Sequence, residues 1–328
     1  MQPWPASRTA VTRRVRALRP LLTAAAAPRA HVVRESERGP DGRLAGGAVL
    51  FLVNRECPWH CVMCDLWRHT APRPAEAISG QIARLLAELA GAVPRQLKLY
   101  NAGSFFDLGA VPREDWPEIA RLVAGAERVI VESHPRLIGP AVPAFRDQLA
   151  AAAAGPAPRL EVALGLETAN PATLARLNKG MTLDDFRRAA ALLRRNGVDV
   201  RAFALIQPPF EPPEAAVPSA VESVAFAARH GAQVVSLIPA RGGNGALEAL
   251  AAAGLFAPPA LTTIERALAA VLVHASPGLR VFVDTWDLER FAACAACLPA
   301  RRARLERMNH AQRPEPPVPC RACGGSAA

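Results

Sequence analysis

Three cysteines stand close together in the segment from Arg55 to Cys64, whose sequence is RECPWHCVMC. A [4Fe–4S] cluster has four irons and is normally held by four thiolates. A compact loop with the spacing Cys-x3-Cys-x2-Cys provides only three thiolates, so one iron stays free to bind a molecule other than the protein. The alternative is that the three thiols are buried as small apolar side chains. A tight loop that directly follows an apolar stretch and contains Pro58 favours the cluster.

This loop resembles the signature of the radical S-adenosylmethionine (radical SAM) superfamily. The resemblance implies that Cys57, Cys61 and Cys64 bind the [4Fe–4S] cluster and that the free iron chelates the amino and carboxylate groups of SAM. It also implies an external one-electron reductant such as flavodoxin or ferredoxin. The residue before the third cysteine is commonly aromatic and packs by the adenine. Here it is Met63, and we expect its polarizable thioether to fill the same space.

The composition is that of a globular protein with metal sites. Of the 328 residues, 51% are hydrophobic, but no stretch approaches the ~18 to 20 uninterrupted apolar residues of a membrane span. The net charge is +10, and only Lys98 and Lys179 are lysines. Because an Arg-rich composition can reflect codon bias, this charge alone is weak support for nucleic-acid binding. All 7 cysteines fall into clusters, which indicates metal binding in a reducing compartment, so we expect a cytoplasmic protein with no membrane partner.

From residue 48 onward, apolar runs of strand length alternate with amphipathic helical patterns. The strand candidates are 48–53, 96–100, 128–132, 160–166, 198–205 and 233–238, with 279–283 as an optional further strand. The helix candidates are 81–91, 114–124, 142–154, 183–196, 213–230 and 261–275. This alternation predicts an α/β fold with parallel strands in a barrel or an open sheet. The radical SAM resemblance implies a partial (β/α)6 barrel, with the active site at the C-terminal ends of the strands.

The predicted domain organisation has three parts. Residues 1–47 form a basic, mobile N-terminal arm, residues 48–283 form the barrel, and residues 284–328 form a small C-terminal module with four cysteines. The composition of the arm is similar to that of an organellar transit peptide, but the arm is not rich in Ser and contains no apolar signal core. A basic arm of this kind can contact RNA phosphates or have no binding role.

Several polar residues follow the predicted strands and are candidates for SAM binding. Asn101, Gly103 and Ser104 follow the strand 96–100, in the position of the Gly-rich turn that meets the methionine amino group in the superfamily. The sequence Asn-Ala-Gly-Ser replaces the commoner Gly-Gly-Glu. The alternative for this segment is an ordinary βα turn that needs glycine for its conformation.

Two carboxylates and an amide end three further strands. The stretch from 161 to 207 resembles the branch of radical SAM enzymes that contains the Elongator catalytic subunit and the methylthiotransferases. In that branch a Gly-Leu-Glu-Thr turn binds the ribose or carboxylate of SAM, and the resemblance assigns this role to Glu167. Glu132 and Gln207, at the ends of the third and fifth strands, are further candidates for cofactor binding.

Four cysteines near the C-terminus form two Cys-x2-Cys knuckles. Cys294 and Cys297 form the first and Cys320 and Cys323 form the second, a spacing typical of a tetrathiolate zinc site. An auxiliary iron–sulfur cluster uses the same four ligands and is the alternative, followed by cysteines without a metal. The Arg-rich helical segment 301–307 between the knuckles is either a solvated face or a fixed basic face that contacts RNA.

The whole layout resembles most closely the small radical SAM proteins related to the archaeosine-forming tRNA enzyme subunit. The pieces that carry this resemblance are CPWHCVMC, YNAGSFFD, VES, GLET, NKG and the terminal cysteine pairs. The resemblance implies reductive cleavage of SAM and hydrogen abstraction from a substrate, with a tRNA nucleobase as the favoured substrate. The alternatives are a small metabolite or peptide as substrate, and a non-catalytic, metal-bearing RNA-binding protein.

Overall fold

The fold is known from a computed structural model, which describes residues 4–21, 28–72, 74–91 and 93–323. Outside these ranges lie residues 1–3 and 22–27 of the predicted arm and residues 324–328 of the predicted C-terminal module. The described chain contains one curled sheet of eight strands that lie side by side in chain order. The strands are β1 His31–Arg38, β2 Leu44–Phe51, β3 Gln96–Tyr100, β4 Arg128–Ser133, β5 Arg159–Glu167, β6 Asp199–Ile206, β7 Val234–Pro239 and β8 Arg280–Val283.

Strands β2 to β8 are all parallel, and β1 pairs antiparallel with β2. The helices are α1 Arg8–Ala17, α2 Ile78–Glu88, α3 Trp116–Val123, α4 Ala141–Ala152, α5 Pro171–Arg176, α6 Leu183–Arg195, α7 Ala216–Arg229, α8 Ala246–Ala252, α9 Leu261–His274 and α10 Leu298–Ala311. Short 3₁₀ helices span Leu66–His69, Arg113–Asp115, Pro135–Leu137, Pro213–Ala215 and Leu288–Phe291.

The main apolar core lies between the outer face of the sheet and the helices. Because side chains alternate between the two faces of a strand, every second strand residue points to the helices. Leu50, Leu99, Val131 and Val162 are such residues, and all are fully buried in this core. The other face of each strand is turned to the inside of the curled sheet. A curled parallel sheet with outer helices is a partial barrel, so the predicted fold class is confirmed.

The predicted strands and helices are present, with ends displaced by four residues at most, as where β2 begins at Leu44 rather than at residue 48. The optional strand at 279–283 is present as β8. The division of the chain into three domains stays a prediction. Two residues of α10, Leu305 and Met308, are buried in the main core, so this helix packs directly on the barrel. Within the described residues, no helix is both long and apolar enough to span a bilayer.

The expectation of a mobile arm is corrected for residues 31–38, which form the edge strand β1. A hairpin turn at Gly39–Gly42 joins β1 to β2, and Gly42 adopts a left-handed φ of 77° that favours glycine. The sequence Gly-Pro-Asp-Gly is a turn signal that could have predicted this hairpin. The sequence did not predict this strand because its residues are mostly charged and look solvent-exposed. Glu37 in fact points into the barrel.

Ion pairs fill the inside of the barrel below the strand ends. Glu37 of β1 is 6% exposed and lies 2.7 Å from Lys98 of β3 and 2.6 Å from Arg201 of β6. Arg201 also lies 2.6 Å from Glu161 of β5, which is fully buried. Burial on its own would raise the pKa of Glu37, but Arg201 and Lys98 hold it well below its ordinary value. The pairs therefore link four strands, β1, β3, β5 and β6, across the inside of the barrel and form its floor.

We expect Glu37→Gln to lower the free energy of unfolding by about 1.5–3 kcal/mol, because it weakens the charge-assisted hydrogen bonds of two buried cations, Lys98 and Arg201, which then keep only Glu35 and Glu161 as carboxylate partners. Chemical denaturation monitored by circular dichroism measures this change. Glu88→Gln is the matched control, since Glu88 pairs with Arg84 on the exposed side of α2 and should change stability by less than about 1 kcal/mol. Equal effects of the two substitutions would contradict the role assigned to Glu37.

Candidate active site

The three-cysteine loop follows β2 at the C-terminal edge of the parallel strands. Backbone hydrogen bonds and two asparagines hold it in place. Val62 donates its N–H to the Leu177 carbonyl at 2.9 Å. Asn178 Nδ2 donates to the His60 carbonyl at 2.7 Å, and Asn244 Nδ2 donates to the Val62 carbonyl at 2.8 Å. Segments that follow β5 and β7 therefore fix the backbone between the cysteines.

Helix α1 packs on the same loop and covers it. Its buried residues Val11 and Val15 lie in a second apolar cluster together with Val62. At the end of the helix, Arg19 makes a two-pronged ion pair with Glu56, the residue before Cys57, at 2.5 and 3.1 Å. A helix that the sequence placed in a basic arm thus excludes water from one side of the cysteine loop.

The surroundings of the three thiols in the loop control how easily these thiols ionise. Burial raises the pKa of Cys57 to about 11 and the pKa values of Cys61 and Cys64 to about 12. Because the thiolate is the form that binds iron, these partly buried thiols need a nearby positive charge to ionise. Lys179 is a buried cation that lowers the pKa of all three. The donor set and its surroundings therefore fit a cluster with three protein thiolates.

The turn after β3 lies beside the loop and presents unpaired polar atoms. A Cβ added at Gly103 would lie 3.6 Å from the Cβ of Cys57, so this turn touches the first ligand cysteine. Glu132 Oε1 accepts a hydrogen bond from the Asn101 N–H at 2.7 Å, and burial raises the pKa of Glu132 to about 7. Asn101 is fully buried, yet within the described residues neither atom of its side-chain amide has a hydrogen-bond partner.

Asn54, in the segment between β2 and the cysteines, is also a buried asparagine whose side-chain amide lacks a hydrogen-bond partner among the described residues. It is 1% exposed, and in the part of the chain that the structure describes both of its amide atoms lack a partner. A buried polar group without a hydrogen bond costs about 1–3 kcal/mol, and such groups are rare in folded proteins. Asn54 and Asn101 follow the neighbouring strands β2 and β3, and two buried amides without partners among the described residues fit a polar ligand such as SAM.

Glu167 ends β5 in a strained conformation. The register of β5 shifts between Gly165 and Glu167, and Glu167 has a φ of 67°. Its Oε1 lies 2.6 Å from Lys179 Nζ, and both side chains are about nine-tenths buried. A side chain at position 165 would collide with both groups, which explains the glycine there. The pair places one negative and one positive charge next to the thiols.

The structure places the other predicted SAM-binding residues as follows. Ser104 Oγ accepts a hydrogen bond from the His134 N–H at 2.9 Å, and His134 stacks on Trp59 of the cysteine loop at 3.7 Å. Met63 packs between the two apolar clusters. Gln207 Nε2 donates to the Ala257 carbonyl at 2.6 Å, so its amide N–H is engaged by another loop. Their roles in cofactor binding stay predictions.

The four C-terminal cysteines come together as the sequence predicts. Their sulfur atoms all lie within 4.8 Å of one another, and those of Cys294 and Cys320 are 4.0 Å apart. Sulfurs around a tetrahedral zinc ion are about 3.8 Å apart, since each Zn–S bond is about 2.3 Å long. The backbone N–H of Cys323 donates to Cys320 and lowers the pKa of that thiol to about 7. This geometry fits a single metal ion, because a cluster binds each thiolate through a different iron.

The arginines between the two knuckles do not form a free basic face, which corrects that expectation. Arg301 and Arg304 are buried, and both pair with Glu265 of α9 at 3.1 and 2.9 Å. Two further pairs, Arg302–Glu289 at 2.6 Å and Arg307–Glu315 at 2.9 Å, lie nearer the surface. The helical pattern is confirmed, but the sequence could not reveal carboxylates that arrive from distant segments.

Sequence reasoning did not assign a role to Asn54, Lys179 or Asn244. Lys179 was visible as part of the Asn-Lys-Gly segment, and a lysine in a chain with only two lysines is a usable signal. Asn54 and Asn244 carried no signal, because their importance comes from contacts with residues far away in the sequence.

We expect purified protein to contain about one zinc ion per chain in addition to cluster iron, and Cys320→Ser to lose that zinc while it retains the cluster. The reason is that the two thiolate sets lie on different parts of the fold and bind independently. Metal analysis by mass spectrometry and the visible absorption of the cluster give the two readouts. Zinc-free protein with roughly eight irons would contradict the zinc assignment and favour an auxiliary cluster.

Comparisons with known proteins give relatives for both the sequence and the fold. No protein-family model matches the chain. Archaeosine synthase subunit beta of Thermococcus kodakarensis is 30% identical over 172 residues, which are 50% of this chain and 51% of the relative. The chain thus spans about half the length of this curated relative.

Two solved structures share the fold. Methylornithine synthase matches with a TM-score of 0.53 and 14% identity, over 92% of this chain and 80% of that enzyme. The archaeal Elp3 of Methanocaldococcus infernus matches with a TM-score of 0.50 and 13% identity, over 79% of this chain and 63% of that protein. At this identity the likeness extends to the fold alone. The chain is thus similar to archaeosine synthase subunit beta over half of its sequence, and to these two solved structures in its fold.

Proposed function

We propose that this protein is a radical SAM enzyme that modifies a nucleobase of tRNA. The observation that carries the radical SAM part is a loop with three partly buried cysteines at the strand ends where the buried amides of Asn101 and Asn54 lack partners among the described residues. The chemistry that a bound cluster and SAM supply is reductive cleavage of SAM to methionine and a 5′-deoxyadenosyl radical, which abstracts hydrogen from a substrate C–H bond.

The residues of the chain have separate tasks in this proposal. Cys57, Cys61 and Cys64 bind three irons, and Lys179 offsets the negative charge that accumulates as the thiols ionise. Asn101 and Glu132 hold the polar end of SAM through hydrogen bonds. Helix α1 and the loops that fix the cysteine backbone exclude water from the site, which protects reactive intermediates. The electron comes from an external donor such as flavodoxin or ferredoxin.

Two observations support tRNA as the substrate. The curated relative is called archaeosine synthase subunit beta, and the sequence resembles the archaeosine-forming tRNA enzyme subunit. The second observation is the charge on α1. Arg13, Arg14 and Arg16 are exposed on this helix, and within the described residues none of them has an ion-pair partner. The free basic face expected on α10 therefore lies on α1, next to the cysteine loop, where RNA phosphates can reach it.

We expect the protein, reconstituted anaerobically with iron and sulfide, to form 5′-deoxyadenosine from SAM when a strong reductant is supplied. Cys57→Ala should lose both the cluster absorption and this product, because no other thiol replaces the missing ligand. Cys320→Ser is the matched control, since it also removes a metal-site thiol but should retain the product. Failure of the wild-type protein to cleave SAM would favour the non-catalytic, metal-bearing RNA-binding protein.

We expect a triple variant, in which Gln replaces Arg13, Arg14 and Arg16, to bind tRNA more weakly and with a smaller dependence on salt. The slope of log affinity against log salt should fall by about 0.7–0.9 for each phosphate that the variant no longer neutralises. Filter binding across a salt series measures both effects. The control replaces Arg84, Arg95 and Arg121, which are exposed and already paired with glutamates. Equal slopes for both triple variants would favour a small metabolite or peptide as substrate.

A further inference from the structure

Five aromatic side chains form a continuous row across the barrel. The ring of Phe203 on β6 lies 6.0 Å from the ring of Tyr100 on β3, at an angle of 86°. Tyr100 lies 6.4 Å from Phe51 at the end of β2. Phe51 in turn contacts Trp286 at 5.5 Å and His31 at 4.8 Å.

The inner part of the row faces the inside of the barrel. Leu50, Leu99 and Ala202 point outward into the core beneath the helices, so the residues that follow each of them point inward. These following residues are Phe51, Tyr100 and Phe203. Within the described residues, no member of the row belongs to either apolar cluster. The row is therefore separate from the packing that holds the fold together.

The row connects the candidate active site with the surface. Tyr100 directly precedes Asn101, in the turn that touches Cys57. At the other end His31 is exposed, and Trp286, just after β8, retains 48% exposure. Phe51, Tyr100 and Phe203 are only partly buried. All five residues thus keep some exposed surface, and exposure is greatest at His31 and Trp286.

The charged groups around the row are already paired. Lys98 and Arg201 pair with Glu37 in the floor below. Arg241 pairs with Asp284, whose Oδ1 also accepts a hydrogen bond from the Trp286 N–H at 2.9 Å. A metabolite with a free carboxylate would find no unpaired cation among these groups. A flat ring without charge would find aromatic faces and edges on several sides.

We propose that this row binds an unstacked nucleobase of RNA and guides it from the surface to the cysteine loop. The inference rests on the proposed function and specifies which part of the substrate the barrel recognises. Enzymes that act on a base must take it out of its stack, and aromatic side chains then replace the stacking partners. Stacking of a base on an aromatic side chain contributes about 1–3 kcal/mol. Trp286 and His31 meet the base first, and Phe51 and Tyr100 enclose it next to the site.

The test is the affinity of the reconstituted protein for a fluorescent single-stranded RNA oligonucleotide, measured by anisotropy at fixed salt and compared with the same sequence in a duplex. We expect the protein to bind the single strand more tightly than the duplex. Trp286→Ala should lower the affinity for the single strand by about 5- to 150-fold, the range that corresponds to one stacking interaction. Trp286→Phe should retain most of the affinity. The salt dependence should stay unchanged, because the row touches no phosphate.

Leu44→Ala is the control, since Leu44 is another exposed apolar residue, 51% exposed, at the opposite end of β2. It should bind RNA like the wild type. His31→Ala provides a second variant if Trp286→Ala fails to fold. Equal RNA affinity of both row variants and the control, or equal affinity for duplex and single strand, overturns this inference. Formation of 5′-deoxyadenosine by the wild-type protein is measured in the same preparation, and its absence overturns the proposed function instead.

Discussion

The buried carboxylate of Glu37 is the group on which the rest of the structure depends. It belongs to the antiparallel edge strand, and its two oxygens reach cations on β3 and β6 across the inside of the barrel. A curled sheet with charges inside is stable only if each charge is paired, because an isolated ion in a protein interior costs several kcal/mol. The pairs form a closed polar floor, and the candidate active site and the aromatic row lie above it. The aromatic row, the turn with Asn101 and the three thiols then follow in order toward the strand ends.

The cysteine loop itself has little regular structure, and its position comes from neighbours. Asn178 and Asn244 bind its backbone carbonyls from two other strand ends, and α1 covers it with Val11 and Val15. The same helix carries exposed arginines, which have no ion-pair partner among the described residues. The apolar face of α1 thus shields the thiols from water, and its exposed arginines form the basic face to which we assign RNA binding in the proposed function.

Much of this arrangement was predictable from the sequence. The alternation of apolar runs predicts the parallel strands and the outer helices, since both periods are local. The three-cysteine loop and the paired knuckles are visible for the same reason, because their ligands lie close together in the chain. The antiparallel strand β1 was not predicted because its glutamates look exposed in the sequence. The expected basic face of α10 was wrong because Glu265, which pairs with two of its arginines, lies more than thirty residues away. The sequence alone does not show which charged residues pair when they lie far apart in the chain.

In the proposed function, a cluster held by three thiolates leaves one iron free for SAM. Low-temperature electron paramagnetic resonance of the reduced, reconstituted protein, recorded with and without SAM, detects whether SAM binds that iron. We expect a [4Fe–4S] signal that changes its g values when SAM is added, that persists in Cys320→Ser and that disappears in Cys57→Ala. A cluster signal that SAM leaves unchanged would show that no SAM is bound to the free iron, and the proposed function would then be wrong.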